Sequence, residues 1–166
     1  MAPLMFLVGG TLAGLVAGRA GVRRLRPWPA ALRGGLALMF TVTGISHFVG
    51  MRQELIDMVP PALPAPEFLV TATGVLELAG AAALLHRRTA PWAAGGLSLM
   101  LVGMFPANVH LALNGTDLPL EDRLIPRTGM QLVFLAAALA VAAHYAREAR
   151  RAESAESGRL PVRARV

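Results

Sequence analysis

The chain has 166 residues, of which 55% are hydrophobic and 16% charged, with a mean hydropathy of +0.54. A soluble domain is less apolar and more charged, so this composition indicates a membrane protein. The absence of cysteine excludes disulfides, iron–sulfur clusters, thiolate zinc sites and a dithiol relay within this chain. The net charge of +6 comes entirely from arginine, and only 5% of residues are aromatic, so we do not expect nucleic acid as a partner.

Five apolar stretches predict five membrane-spanning helices, because about 18 or more apolar residues can cross a bilayer. These stretches are residues 2–18, 33–50, 68–86, 90–113 and 127–146. The first stretch has no positive charge before its apolar core, so we expect a retained membrane anchor and not a cleaved signal peptide. Along it, Gly10, Gly14 and Gly18 form a stripe of small residues that would let another helix approach closely.

The segments between and after the spans complete the predicted organisation. Residues 51–59 carry apolar residues on one helical face and precede Pro60 and Pro61, which predicts a short helix on the outer surface that ends at the prolines. This helix would either cover a polar pocket or act as a stiff connector. We predict one transmembrane domain, residues 1–146, and a polar cytoplasmic tail, residues 147–166, that continues the last helix before losing order.

The distribution of arginine predicts the orientation in the membrane, because cytoplasmic segments are enriched in basic residues. With the N-terminus outside, 13 of the 16 arginines lie on the inner side, and the exceptions are Arg52, Arg123 and Arg127. The lack of lysine, together with abundant Ala, Gly and Arg, indicates the high-GC coding of a bacterium. We therefore expect a multi-pass protein of the inner membrane whose C-terminus is cytoplasmic.

Polar side chains within the predicted spans are the candidate functional residues, because burying them in a bilayer is costly. The four that we expect to direct their side chains into one ligand-binding pocket in the outer half of the bundle are His47, Glu77, Asn108 and Gln131. Each lies on a different predicted helix. Thr43 and His47 are four residues apart and share a helix face, as do Thr73 and Glu77.

Glu77 is the most informative of these candidates. A rise of about 1.5 Å per residue places it roughly 14 Å below the outer end of its predicted helix, near the middle of the bilayer. A lone carboxyl at that depth is expected to be neutral, because the loss of water penalises its charged form. It could relay protons, bind a quinone headgroup or pair with a cation. It could equally serve a structural role by hydrogen bonding to Thr73 or to another helix.

Pro106 is expected to bend the fourth predicted helix just before Asn108, because proline removes a backbone hydrogen bond. Such a bend beside a buried amide can open a local cavity. Asn108 and Gln131 could equally hold helices together by hydrogen bonds. His110 lies about 200° around the helix from Asn108 and would face elsewhere, so we expect neither a haem between His47 and His110 nor any other metal site.

Four short motifs in the central part of the chain carry a resemblance to a known family. Residues 44–48, 58–64, 74–80 and 105–108 read GISHF, MVPPALP, GVLELAG and FPAN. Their motif positions include Gly44, Phe48, Pro60, Pro61, Gly74 and Pro106. In order and spacing they resemble the DoxX-like family of small bacterial integral membrane proteins, over about residues 34–146. The resemblance implies an all-α, polytopic four-helix unit in the inner membrane, to which this chain adds an N-terminal transmembrane helix.

The family takes its name from a subunit associated with quinone-linked thiosulfate oxidation, which suggests a function. We expect an accessory subunit of a membrane redox system that binds a quinone or a similar molecule, although no cofactor is certain. Catalytic residues are unassigned, and the chain is not expected to be an enzyme by itself. The alternatives are a structural or assembly protein and a small proton-coupled carrier that uses Glu77. Expected partners are the lipid bilayer, membrane or soluble redox subunits, and further copies of the chain in a homo-oligomer.

Overall fold

The structure, a computed structural model, describes residues 2–115 and 118–157, and within these ranges the regular structure is entirely helical. The α-helices are α1 (Ala2–Arg19), α2 (Trp28–Ser46), α3 (Arg52–Asp57), α4 (Pro66–Leu84), α5 (Ala90–Asn114) and α6 (Leu124–Ser157). Two short 3-10 helices, Arg23–Leu25 and Leu120–Asp122, lie in the connections before α2 and α6. The predicted all-α membrane bundle is confirmed, and so is the short helix between the second and third predicted spans.

Four of the described helices, α1, α4, α5 and α6, are long and apolar enough to cross a bilayer, so the protein is a multi-pass membrane protein. The helix α2 is not among these four, although a span was predicted there. Its 19 residues include Arg33 and begin with Trp28 and Pro29, which lower its hydropathy. It is nevertheless the most interior helix, because it packs against α1, α4 and α6.

The small-residue stripe on α1 packs against α2, as its spacing predicts. A Cβ built on Gly10 would lie 3.0 Å from the Cα of Gly35, and one built on Gly14 would lie 3.1 Å from the Cα of Ala31. The residue numbers on α2 fall as those on α1 rise, so the two helices are antiparallel. Close approach of this kind is how small residues promote helix association where no hydrophobic driving force acts between helices.

Two predicted boundaries differ from the structure. The helix α2 runs from Trp28 to Ser46, whereas residues 33–50 were predicted, because Pro29 in its first turn is compatible with helix initiation and Arg33 lies inside the helix. The helix α6 continues to Ser157, past the predicted span that ends at residue 146, which confirms the expectation that the tail continues the last helix. The extension is rich in Ala, Arg and Glu, which favour helix without being apolar. Residues 158–166 of the predicted tail lie outside the described residues.

An aromatic and arginine cluster marks one end of the bundle. The side chain of Tyr145 on α6 is buried, and its ring lies 5.0 Å from the guanidinium of Arg33 on α2 and 5.9 Å from that of Arg87, which follows α4. Arg87 also forms an ion pair of 2.9 Å with Glu148. The start of α2, the end of α4 and the C-terminal part of α6 therefore meet at the same end of the bundle.

Candidate functional site

The helices α2 and α4 cross through two reciprocal contacts with glycine. A Cβ built on Gly44 of α2 would lie 3.1 Å from the Cβ of Glu77, and one built on Gly74 of α4 would lie 2.6 Å from the Cβ of His47. Each helix thus presents a glycine to the polar residue of the other. Gly44 faces Glu77, and His47, three residues later, faces Gly74, three residues earlier. The two helices are therefore antiparallel.

This crossing explains the spacing of two sequence motifs. In residues 44–48 the glycine precedes His47 by three positions, and in residues 74–80 the glycine precedes Glu77 by three positions. Residues three apart lie on the same side of a helix, so each glycine and its polar neighbour face the partner helix together. The two motifs, which are 30 residues apart in the sequence, therefore form one contact in the fold.

Glu77 is buried, with 4% of its surface exposed, and its hydrogen-bond partner lies on α2. The Thr43 hydroxyl oxygen is 2.5 Å from Oε2 of Glu77 and 3.1 Å from the backbone carbonyl oxygen of Met39. A hydroxyl has one hydrogen to donate. If Thr43 donates to Met39, a protonated Glu77 can donate to Thr43, and if Glu77 is ionised, Thr43 can donate to it instead. The contact accommodates both protonation states of the carboxyl.

His47 is the residue immediately after the last residue of α2, and only 3% of its surface is exposed. Its Nδ1 lies 2.9 Å from the backbone carbonyl oxygen of Thr43. A carbonyl oxygen can only accept, so Nδ1 carries a hydrogen, and in a neutral ring Nε2 is then an acceptor. Thr43 therefore contacts Glu77 through its hydroxyl and His47 through its carbonyl. We refer to Thr43, His47 and Glu77 as the α2/α4 polar cluster.

Arg52, the first residue of α3, connects the His47 end of this cluster to α4. Its Nη1 donates to the backbone carbonyl oxygen of His47 at 3.3 Å, and its Nη2 donates to the hydroxyl of Thr71 on α4 at 3.1 Å. A cation beside the carboxyl end of a helix is favoured by the helix dipole. The guanidinium therefore stabilises the end of α2 where His47 lies and joins it to α4.

Gln131 and Asn108 belong to a second set of contacts, between α5 and α6. Gln131 is buried, with 8% of its surface exposed, and its Nε2 donates to the backbone carbonyl oxygen of Leu101 at 2.5 Å. Leu101 lies just over one turn before Pro106, and α5 continues through this proline as one helix. The Gln131 amide thus adds a hydrogen bond across the helices close to where proline removes one within α5.

Asn108 is half-buried and is bound by an arginine near the start of α6. Its Oδ1 accepts a hydrogen bond of 2.6 Å from Nη1 of Arg127, and Nη2 of Arg127 pairs with Asp122 at 2.8 Å. Arg127 and Gln131 are four residues apart, so one face of α6 supplies both contacts to α5. This face joins the C-terminal half of α5 to the N-terminal part of α6.

The structure therefore places the four predicted site residues in two sets of contacts, with His47 and Glu77 between α2 and α4 and with Asn108 and Gln131 between α5 and α6. Among residues 2–115 and 118–157, no side-chain hydrogen bond links the α2/α4 polar cluster to Asn108 or Gln131. A cavity of about 310 Å³ between α4 and α5 has an apolar lining that includes Leu76, Gly80 and Leu97 and none of the four. A common pocket for all four stays a prediction. The described residues also contain no group of three or more acidic or histidine side chains that could hold a metal ion.

Three residues of these contacts were not among the predicted site residues. Thr43 is the link between Glu77 and His47, and its position four residues before His47 was the available signal. Arg127 was counted only as an outer arginine, although it lies four residues before Gln131. Arg52 was likewise counted only for orientation, and nothing in the sequence identifies its contacts with His47 and Thr71.

Comparison with known proteins gives a family but no characterised relative. Residues 36–142 match the family described as a domain of unknown function, DUF8561. The chain belongs to this family. The matched region contains the α2/α4 polar cluster and both contacts between α5 and α6, whereas α1 precedes it. No curated protein and no solved structure matches the chain.

Proposed function

We propose that this DUF8561 protein is a DoxX-like accessory subunit of a quinone-linked redox system, and that the α2/α4 polar cluster binds the headgroup of a quinone or a similar lipid-soluble molecule. One observation carries the proposal: a carboxyl and an imidazole, each at least 96% buried, contact the same residue, Thr43, in a membrane protein. The two motifs that carry the DoxX-like resemblance on α2 and α4 meet at this crossing, which supports the same reading.

The chemistry of the cluster suits a quinone and its reduced form. Quinone oxygens accept hydrogen bonds, which a protonated Glu77 can donate, and quinol hydroxyls donate hydrogen bonds, which Nε2 of His47 can accept. A thiol-based redox step would belong to a partner subunit, because the chain has no cysteine. The role that we propose for this protein is therefore to hold the ligand and to exchange its protons.

The proposal includes an inner-membrane location, five crossings and an N-terminus outside. The 19 residues of α2 extend over about 28 Å at 1.5 Å per residue, which is close to the thickness of the apolar part of a bilayer. The antiparallel contact of α1 with α2 and the meeting of Arg33 with Arg87 at Tyr145 support the placement of most arginines on one side.

A structural or assembly role is the second candidate, and one observation favours it. Three of the four predicted site residues have a hydrogen-bond partner on another helix: Glu77 contacts Thr43, Gln131 contacts Leu101 and Asn108 contacts Arg127. Such hydrogen bonds join helices without any ligand. The two candidates differ in whether Glu77 must be able to ionise and in whether a lipid-soluble molecule is retained.

The test combines ligand identification with a variant that cannot ionise. The protein is purified in mild detergent, its bound small molecules are extracted, and quinones are quantified by mass spectrometry per protein molecule. In parallel, Glu77→Gln is assayed for complementation of a deletion strain. The amide keeps the size and hydrogen-bonding capacity of the carboxyl, so the bundle should form while complementation is lost.

Glu67→Gln is the matched control, because Glu67 lies on the same helix, is exposed and is ten residues from Glu77. We expect about one quinone per protein and a functional loss that is confined to Glu77→Gln. An extract that contains only bulk phospholipid, together with full complementation by Glu77→Gln, would reject the quinone proposal in favour of the structural role.

A further inference from the structure

The connection between α1 and α2 folds back onto the end of α1 through glycines. Gly21 has φ +118°, and the N–H of Val22 donates to the carbonyl oxygen of Ala17 at 3.0 Å, which is the hydrogen bond of a glycine-based helix C-cap. Gly18 is buried, and a Cβ built on it would lie 2.6 Å from the carbonyl oxygen of Leu25. Glycine is therefore needed at position 18 for the connection to lie this close to the helix.

These segments form an open cavity of about 580 Å³ between the end of α1 and the start of α2. Its lining residues are Leu15, Gly18, Arg19, Arg26, Pro27 and Trp28. The cavity thus combines two guanidinium groups with the apolar surface of Leu15 and Trp28. A ligand that matched this lining would have an anionic group joined to an apolar one.

The acidic residue that the structure shows at this end of the bundle, Glu148, pairs with Arg87 and His144 and not with the arginines of the cavity. The first acidic residue in the sequence is Glu54, whereas five arginines lie between positions 19 and 33. Among the described residues, no ion pair involves Arg19 or Arg26. Both arginines are exposed. Arg19 is the last residue of α1, which is apolar enough to cross a bilayer, and Arg26 lies in the connection that follows α1. They are therefore available to an anion at the membrane surface.

We propose that this cavity binds the phosphate group of an anionic phospholipid, with Arg19 and Arg26 donating to the phosphate oxygens. Trp28 and Leu15 would contact the glycerol and the first methylenes of the acyl chains. Tryptophan is enriched at membrane interfaces, and basic pockets beside membrane helices are suited to lipid headgroups. A soluble phosphate compound would leave the apolar part of the lining without a partner. The inference does not depend on the proposed role of the α2/α4 polar cluster.

Lipid retention by the purified full-length chain tests this site. Delipidated protein in detergent is titrated with dioleoyl phosphatidylglycerol or with dioleoyl phosphatidylcholine, and bound lipid is counted by native mass spectrometry. We expect one phosphatidylglycerol to bind in preference to phosphatidylcholine. The double variant Arg19→Gln, Arg26→Gln should weaken this binding by roughly tenfold or more, given the typical contribution of an arginine near anionic lipid. The matched control is Arg23→Gln, Arg24→Gln, which removes the same charge from the same connection but not from the cavity lining. The control should lose less than about twofold.

Two further measurements separate the cavity from a general attraction between opposite charges. The first is lipid binding by Gly18→Ala, which keeps every charge but forces the Leu25 carbonyl away and should therefore also weaken lipid binding. The second is thermal unfolding of each variant, which shows whether the bundle is intact. Equal losses in the two double variants would overturn the proposal, because any basic surface would then suffice. Displacement of the lipid by excess inorganic phosphate would overturn it as well, since the site would then recognise a soluble anion.

Discussion

Gly74 of α4 and His47 of α2 are in such close contact that a Cβ at position 74 would lie 2.6 Å from the Cβ of His47. A Cβ is fixed by the backbone, so rotating the imidazole cannot relieve this contact. The helices would have to move apart instead. The same crossing positions Glu77 beside Gly44, so the geometry of the polar cluster depends on the absence of a side chain at position 74.

Gly74→Ala is therefore expected to destabilise the bundle. Overpacking of a close contact typically costs about 1–3 kcal/mol. Unfolding by denaturant in detergent micelles measures the change. Gly34→Ala is the control, because Gly34 is also inside a helix but has no other atom within 4 Å of its Cβ position. It should be neutral or slightly stabilising. Equal losses of stability in both variants would contradict the role of Gly74 as a contact position.

Thr43→Val should weaken the attachment of α2 to α4. Valine has nearly the shape of threonine but cannot hydrogen-bond to Glu77, so the buried carboxyl loses its partner on α2. We expect the free energy of unfolding to fall by about 0.6–1.7 kcal/mol, from the average to the largest contribution of a hydrogen bond between membrane helices. Thr41→Val is the control, since the Thr41 hydroxyl bonds only to the carbonyl oxygen of Ala37 in its own helix. A double-mutant cycle with Glu77→Leu should give a coupling energy for Thr43 and none for Thr41.

The positions of the helices were largely predictable from the sequence, because uncharged apolar runs of sufficient length have few other structures available in a membrane protein. The prediction was wrong at the start of α2, where Arg33 was taken as a boundary. In the structure its long side chain extends from inside the helix to the ring of Tyr145, a contact between residues 112 positions apart. A local sequence pattern contains no information about such a partner.

Hydrogen-bond partners were less predictable than burial. The costs of burying polar groups indicated that His47, Glu77 and Gln131 face the bundle interior, and all three are buried. The expected partner of Glu77 was either Thr73 or another helix. The Thr73 hydroxyl donates to the backbone of its own helix, and the second alternative is confirmed, because Glu77 contacts Thr43 on α2. Spacing shows which residues share a face of one helix. It does not show which face of another helix lies opposite.

Arg127→Met should loosen the outer ends of α5 and α6. The change removes the hydrogen bond to Asn108 and the ion pair with Asp122, while methionine keeps much of the apolar stem. Arg127 is mostly buried, with 18% of its side chain exposed, and a hydrogen bond to a charged group contributes about 1.5–3 kcal/mol. Hydrogen–deuterium exchange should rise around residues 105–114 and 124–131. Arg123→Met is the control, because Arg123 is exposed, and it should leave exchange unchanged.

The last prediction is that α2 crosses the membrane, although it is not among the four helices that are apolar enough by themselves. Its position between α1, α4 and α6 means that other helices cover much of its surface. Such a helix needs less hydropathy than one that faces lipid on most sides. The two ends of α2 should therefore lie on opposite sides of the bilayer.

The cysteine-free sequence makes this prediction directly testable, since each introduced cysteine is the only thiol. The variants are Arg24→Cys before α2, Glu54→Cys after it and Arg88→Cys after α4, all at exposed positions. In intact cells a membrane-impermeant maleimide should label only the Glu54→Cys protein, and all three should react after the membrane is opened. If α2 did not cross, positions 24 and 54 would lie on the same side, and in intact cells both would be labelled or both would be protected. That outcome would reduce the number of crossings to four and would place the arginines at positions 19–33 and 87–88 on opposite faces of the membrane.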